Sequence, residues 1–291
     1  MISNKGYGNV RNLCLLLPHI LDYDVALLID DDEIVTDHLF LQTATEFIGS
    51  QVKNKILGVV AGYYVNADGS IFLDESQTLW WNLVWEKEKL MNEAFRIITD
   101  SKSERLVDTP FALGGNLVIY RKCWEQVPFD PLITRGEDMD YLRSVKYFGF
   151  EAKLDRSLSI KHEPPNVSTS YKIKFRQDIH RFLYSKYKLE HMKVDPSEFD
   201  PYPGYFLRQT EGKVILTELL YNIFQNKEAL VELEDVTQFL DHMKDIDFYF
   251  KEIHEECRNT SEKYFEFQKN WKTLMVNLTS LKIPSDTAAK I

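Results

Sequence analysis

Five consecutive apolar residues, Val25-Ala-Leu-Leu-Ile29, run without a break into Asp30-Asp31-Asp32-Glu33. A short apolar run with no polar face suits a strand buried on both sides, and such strands belong to sheets covered by helices. The abrupt change to four acids marks where that strand leaves the core. Ligand sites in open α/β sheets lie outside the carboxyl ends of the strands, and residues two apart in an extended segment project to the same side. Asp30 and Asp32 are therefore expected side by side at the rim of the sheet. Carboxylates crowded there repel unless a cation sits among them, which points to a divalent metal. The alternative is the acidic start of a following helix, where Asp and Glu complement the dipole.

The surrounding pattern supports a sheet. Val10–Leu21 and Leu39–Ile48 have helical spacing, and Ile56–Val65 is a second strand candidate that ends in the turn signal Asn66-Ala-Asp-Gly69. A long aromatic-rich helix is expected over Leu79–Ile98, a third strand over Leu117–Tyr120, and a helix over Gly136–Phe148 with Met139, Leu142 and Val145 on one face. Beyond Pro164-Pro165 the strands give way to charged segments of helical periodicity: Lys174–Lys193, Val214–Phe224, Val231–Ile253 and Tyr264–Leu281. The expected organisation is an α/β domain over residues 1–165, with a mostly parallel sheet and helices on both faces, followed by an α-helical region over 166–291.

Composition narrows the function classes. Of 291 residues, 45 are Asp or Glu against 35 Lys or Arg, a net charge of -10, so the clustered cations of a nucleic-acid binder are missing. Three cysteines far apart (Cys14, Cys123, Cys257) offer neither a disulfide framework nor a paired-Cys zinc site, which fits a reducing, cytoplasmic setting. No stretch reaches the roughly 18 apolar residues of a transmembrane helix.

Two further segments carry ionisable residues: Gly136-Glu137-Asp138-Met139-Asp140 at the start of an expected helix, and Lys161-His162-Glu163 at the end of an expected strand. With the Asp run they supply two carboxylates and an imidazole for a metal, and a separate carboxylate for acid-base work. Asp138 is the choice for a catalytic base, because a helix can present it to a cleft while Met139 and Leu142 face the core. Asp140 should then turn to solvent or to Arg143. Trp80, Trp81 and Trp85, close together on an expected helix, suit core packing better than stacking on a ligand.

The order of these segments (Gly6-Tyr-Gly8-Asn-Val-Arg11-Asn12, Asp30 to Asp32, Gly114-Gly115-Asn116, Gly136 to Asp138, His162) resembles nucleotide-sugar glycosyltransferases of the GT-A fold. It is most similar to the large inverting family and secondarily to the retaining mannosylglycerate and glucosylphosphoglycerate synthases, over roughly residues 4–165. The resemblance implies a Rossmann-like GT-A domain that moves a sugar from a nucleotide-diphosphate donor to a carbohydrate or other hydroxyl acceptor. It implies Mn²⁺ or Mg²⁺ held by Asp32 and His162 with Asp30 beside them, Arg11 and Asn12 near the nucleotide, and Gly114, Gly115 and Asn116 near the sugar. Glu137 or Asp138 would face the acceptor hydroxyl. The C-terminal helices would serve a homo-oligomer or a partner chain.

Two features depart from the family. The strand-helix-strand unit that holds the base normally fills about 90 residues before the Gly-Arg-Asn loop, and only five residues precede the first Gly, so the expectation is a fragment, a late start, or another chain that supplies that half. The Gln-x-x-Arg-Trp signature of processive synthases is absent, and Phe175–Arg181 stands in its place. Two rival readings remain at this point. A haloacid-dehalogenase-like phosphatase would use the first Asp of the run as nucleophile, but leaves His162 without a role; a catalytically incomplete domain would act as an interaction module through its helical half.

Overall fold

A computed structural model describes residues 5–75, 86–100, 104–110, 112–163, 171–208 and 251–279. They fall into two compact units, one drawn from Met1–Ile71, Ser101–Ser168 and Glu262–Ile291, the other from Phe72–Asp100 and Thr169–Ser261.

The first unit is an α/β sheet of seven strands: β1 (Val25–Leu28), β2 (Glu33–Ile34), β3 (Gln51–Val52), β4 (Lys55–Val65), β5 (Leu106–Asp108), β6 (Leu117–Tyr120) and β7 (Glu151–His162). The main order is β1-β6-β4-β7-β2, with β3 on β4 and β5 on β7. The sheet is mixed, not mostly parallel as expected: β4 and β7 run parallel, while the other five pairs are antiparallel. The reason is β6. It inserts between β1 and β4 and runs against both, so these two share a direction without touching. Alternation of helix and strand along a sequence does not reveal such an inserted strand.

Period-2 alternation assigns strand residues to faces, and an irregularity between Leu57 and Val59 shifts the phase of β4 there. Ala26 and Leu28 of β1, Val59 and Ala61 of β4, and Leu117 and Ile119 of β6 enter one core, while Leu57, Val60 and Val118 enter the other. The first core is closed by α1 (Tyr7–Ile20), α4 (Arg121–Trp124), α5 (Glu137–Tyr147) and α8 (Lys263–Thr279), through Leu15, Trp124, Tyr141, Val145, Trp271 and Met275. The second is covered by α2 (Phe40–Thr45) with Phe40 and Ala44. Helices thus lie on both faces, and the strands between them are apolar because neither face meets water. Between β3 and β4, Lys53 and Asn54 both have positive φ (50° and 65°), the backbone of a two-residue hairpin turn that matches the twist of its strands.

Helix α8 repays close inspection. Tyr264, Gln268 and Trp271 lie on one face at spacings of four and three. Tyr264 Oη donates to the Pro128 carbonyl (2.9 Å), Gln268 Nε2 to Gln126 (2.6 Å) and Trp271 Nε1 to Trp124 (2.6 Å). A buried loop after α4 thereby satisfies carbonyls that water cannot reach. The division of the chain consequently does not follow one boundary near residue 165, since α8 packs with the sheet.

The second unit contains α3 (Lys87–Asp100), α6 (Tyr171–Met192), a 3₁₀ turn (Pro196–Phe199), α7 (Gly204–Arg208) and the helical residues 251–260. Buried Asp178 of α6 pairs with Lys87 (3.1 Å) and Arg181 (2.8 Å), and Arg181 also donates to Tyr202 Oη (2.9 Å). Trp80, Trp81 and Trp85, the expected helix Val214–Phe224 and most of Val231–Ile253 lie outside the described residues. Among the described residues no helix is long and apolar enough to cross a membrane.

Trp271→Ala is expected to cost about 3–5 kcal/mol in urea unfolding, because it leaves a cavity and strips the Trp124 carbonyl of its donor. A loss under about 1 kcal/mol would place α8 outside the cooperative core.

Candidate functional site

The acidic run does not continue β1. Residues 31 and 32 form a turn, closed by the Glu33 N–H on the Asp30 carbonyl (3.3 Å), and the chain doubles back as β2. β2 pairs with the end of β7, which sets Glu33 opposite His162; the Glu163 N–H also donates to the Asp32 carbonyl (2.9 Å). The turn is therefore pinned by backbone bonds to the carboxyl end of β7. Asp32 Oδ2 stands 3.4 Å from His162 Nε2, and the His162 ring stacks on Tyr64 at the end of β4 (4.7 Å between centroids, 22° apart).

Because of the turn, Glu33 joins the aspartates on one side. Asp30, Asp32 and Glu33 each offer an oxygen, and these oxygens lie within 4.8 Å of one another. One Glu33 oxygen accepts from the Asp30 N–H (2.9 Å). The other, Oε1, is buried. Burial is the main cause that lifts the Glu33 carboxyl to about 7, against its bond to Asp30 and the neighbouring Tyr64 hydroxyl, with Asp30 and Asp32 adding to the lift. Gly115 closes this side: its N–H donates to Tyr64 Oη (3.0 Å), and a Cβ there would lie 1.9 Å from Glu33 Oε1.

Two helices complete the rim. Arg11 of α1 places Nη2 at 2.8 and 3.1 Å from the two Asp30 oxygens, and its Nε 3.7 Å from Glu137 Oε1. Burial opposes the Arg11 charge, but Asp30, Glu137 and Asp138 more than restore it. Helix α5 starts from Gly136 in the left-handed region (φ 73°), a conformation that favours glycine. Glu137 is buried, and burial followed by the Asp138 charge raises its carboxyl to about 7 in spite of Arg11. Asp138 is half-buried, with Oδ1 accepting from the Met139 N–H (2.7 Å). Asp140 is buried, not turned to solvent, and lies 3.6 Å from Arg143.

The structure thus brings together Arg11, Asp30, Asp32, Gly114, Gly115, Glu137, Asp138 and His162. It does not bring in Asn12 or Asn116. Asn12 is wholly buried, accepting from the Phe129 N–H (2.8 Å) and donating to the Phe129 carbonyl (2.9 Å). Asn116, also wholly buried, donates to the carbonyls of Tyr63 (3.3 Å) and Leu158 (3.2 Å). An amide offers a donor and an acceptor group; Asn12 uses both on Phe129, whereas Asn116 uses only its nitrogen and its buried Oδ1 has no partner among the described residues. Sequence reasoning missed Glu33 and Tyr64. Glu33 stood in the acid run but out of phase with Asp30 and Asp32 in an extended reading, and Tyr64 carried no motif.

The oxygens of Asp30, Asp32 and Glu33 lie close enough to one another to share a hard divalent cation. No family model and no curated protein matches this chain. A solved structure described as "Crystal Structure of a Mycobacterial Protein" is similar at a TM-score of 0.40 and 13% identity, covering 67% of this chain. The chain spans about half the length of that protein (54%), and a likeness of this size carries no argument.

A carboxyl raised in the folded state binds a proton that the unfolded chain has released, so stability falls as pH rises from the ordinary range of about 4.5 through about 7. In EDTA, Glu33→Gln should melt about 2–4 °C above the parent at pH 8. The difference should shrink toward pH 5, and calorimetric scans showing the same difference at both pH values would contradict the assignment.

Proposed function

We propose that the chain is a metal-dependent glycosyltransferase of GT-A type that moves a sugar from a nucleotide-diphosphate donor to an acceptor hydroxyl with inversion. One observation carries the reading: Arg11, Asp30 to Glu33, the Gly114-Gly115 turn, Glu137-Asp138 and His162, dispersed over 150 residues of sequence, meet at the carboxyl ends of β1, β4 and β7. Asp32 and His162, with Glu33 and Asp30 beside them, are the residues that would hold Mn²⁺ or Mg²⁺. When bound, the cation neutralises the diphosphate leaving group.

The chain's own residues do the rest. The acceptor oxygen bonds to the anomeric carbon as the bond from that carbon to the diphosphate oxygen breaks, and the electron pair leaves with the diphosphate. The acceptor proton goes to Asp138. Among the three acids at the start of α5 it is the one that remains accessible: Glu137 is buried against Arg11, and Asp140 is buried near Arg143. Glu137 instead fixes the start of α5 against α1, which holds Asp138 at the rim.

Calorimetric titration with Mn²⁺ and nucleoside diphosphates is the direct test. Asp32→Ala should abolish metal-dependent binding with the fold intact; unchanged Mn²⁺ affinity rules out the metal assignment. Asp138→Asn keeps the shape and removes the base, so transfer should fall by roughly 10²–10⁴ with donor binding retained. Near-parental transfer in that variant would sink the inverting mechanism, and release of phosphate from a simple aryl phosphate would favour the phosphatase reading.

A further inference from the structure

The opposite end of the sheet gathers charge of the other sign. β5 pairs antiparallel with the start of β7, which sets Asp108 directly across from Lys153. Lys153 Nζ lies 2.8 Å from one Asp108 oxygen, and Lys53, from the turn between β3 and β4, lies 3.6 Å from the other. Lys146, in the last turn of α5, arrives from a third direction and donates to the carbonyl of Thr109 (3.1 Å). Among the described residues no carboxylate comes within ion-pair distance of it. Burial opposes the charge of Asp108, but Lys153, Lys146 and Lys53 more than offset it and hold the carboxyl below its ordinary range. Burial is also the main cause that lowers the proton affinity of Lys146; Asp108 and Glu151 oppose the shift, and Lys153 and Lys53 add to it. Glu151 is itself paired with Lys55 (3.7 Å). Four ammonium groups therefore meet two carboxylates, a local surplus of positive charge on a chain whose net charge is -10.

We propose that the ends of α5 and β5, together with the β3–β4 turn, form an anion site in which Lys53, Lys146 and Lys153 hold a phosphate dianion, free or as a phosphomonoester. The site is separate from the acidic rim and does not rest on the function proposed above, since Lys153 lies at the start of β7 and His162 at its end. A largely buried ammonium with only a carbonyl for a partner is costly, and an anion that meets it directly offsets that cost. Lys146 supplies this uncompensated charge. Lys153 is 7% exposed and fixed by the strand pairing, while Lys53 is 71% exposed and stands on the solvent side. The chemistry favours phosphate over carboxylate. Three point charges on separate elements suit the oxygens of a tetrahedral group, whereas a planar carboxylate is matched by a guanidinium fork. Asp108 is 60% exposed, so its carboxylate can turn outward and leave both lysines to the ligand.

The test is calorimetric titration of the full chain with inorganic phosphate in metal-free buffer at low ionic strength. Without a metal the acidic rim repels the probe, so the signal reports this end of the sheet. The parent should bind with a Kd below about 5 mM, and Lys146→Met at least about fivefold more weakly. A weaker parent, or a smaller loss in folded Lys146→Met, overturns the proposal. Should Lys146→Met fail to fold, the exposed Lys53 decides: Lys53→Met is expected to lose at least about threefold in phosphate affinity, and a smaller loss overturns the proposal. Glycerol 3-phosphate titrated in parallel tells the two sources apart. Tighter binding than inorganic phosphate assigns the site to a phosphomonoester, and equal or weaker binding assigns it to the free ion.

Discussion

Repulsion among carboxylates gathered at the ends of three strands is the constraint around which the site is built. Asp30, Asp32, Glu33, Glu137 and Asp138 arrive from two segments that are about 100 residues apart in sequence. Asp30 is offset by Arg11, Asp32 stands 3.4 Å from His162 Nε2, and Glu33 and Glu137 show a rise in proton affinity. These devices act only because the backbone holds the groups in register. The β2–β7 pairing fixes Glu33 against His162, and the ladder of β4 on β7 carries Tyr64 to the same place. Electrostatic work at the rim is thus supported by backbone hydrogen bonds in the sheet, where the dielectric is low and geometry is stiff.

Much of this was legible in the residues. The apolar run before Asp30 marks β1, and the turn signals and spacing mark β4, β6 and α5 to within a few residues. The convergence of Arg11, the acid run, Gly114-Gly115, Glu137-Asp138 and His162 follows the order of the motifs. What escaped has physical causes. Strand direction is not written in composition, so β6 running against its neighbours came as a finding. The turn at Asp31-Asp32 breaks the two-residue period, and the side that Glu33 faces depends on that turn. Tyr64 owes its place to a ring stack and to the Gly115 N–H, both long-range contacts.

The buried asparagines show the opposite failure, in which a motif residue has a structural use. Asn12 and Asn116 each sit inside a pattern that suggests ligand contact, yet Asn12 spends its whole amide, and Asn116 its amide nitrogen, on backbone groups. Asn92 of the second unit does as Asn12 does, exchanging bonds with the N–H and carbonyl of Leu73 (2.8 and 2.9 Å). Irregular segments that pass through an interior need donors and acceptors that no sheet or helix provides. An asparagine beside such a segment is the smallest side chain that offers both.

The packing of α8 has a consequence for the order in which the chain acquires its shape on the ribosome. The last sheet strand, β7, ends at His162, and Trp271 follows only after the second unit has been synthesised. The intervening stretch of about 100 residues takes roughly 5–20 s to translate. Through that interval the carbonyls of Trp124, Gln126 and Pro128 lack the donors that α8 supplies. The first core is complete only once this late helix has been made, so its maturation is timed by the length of the intervening segment.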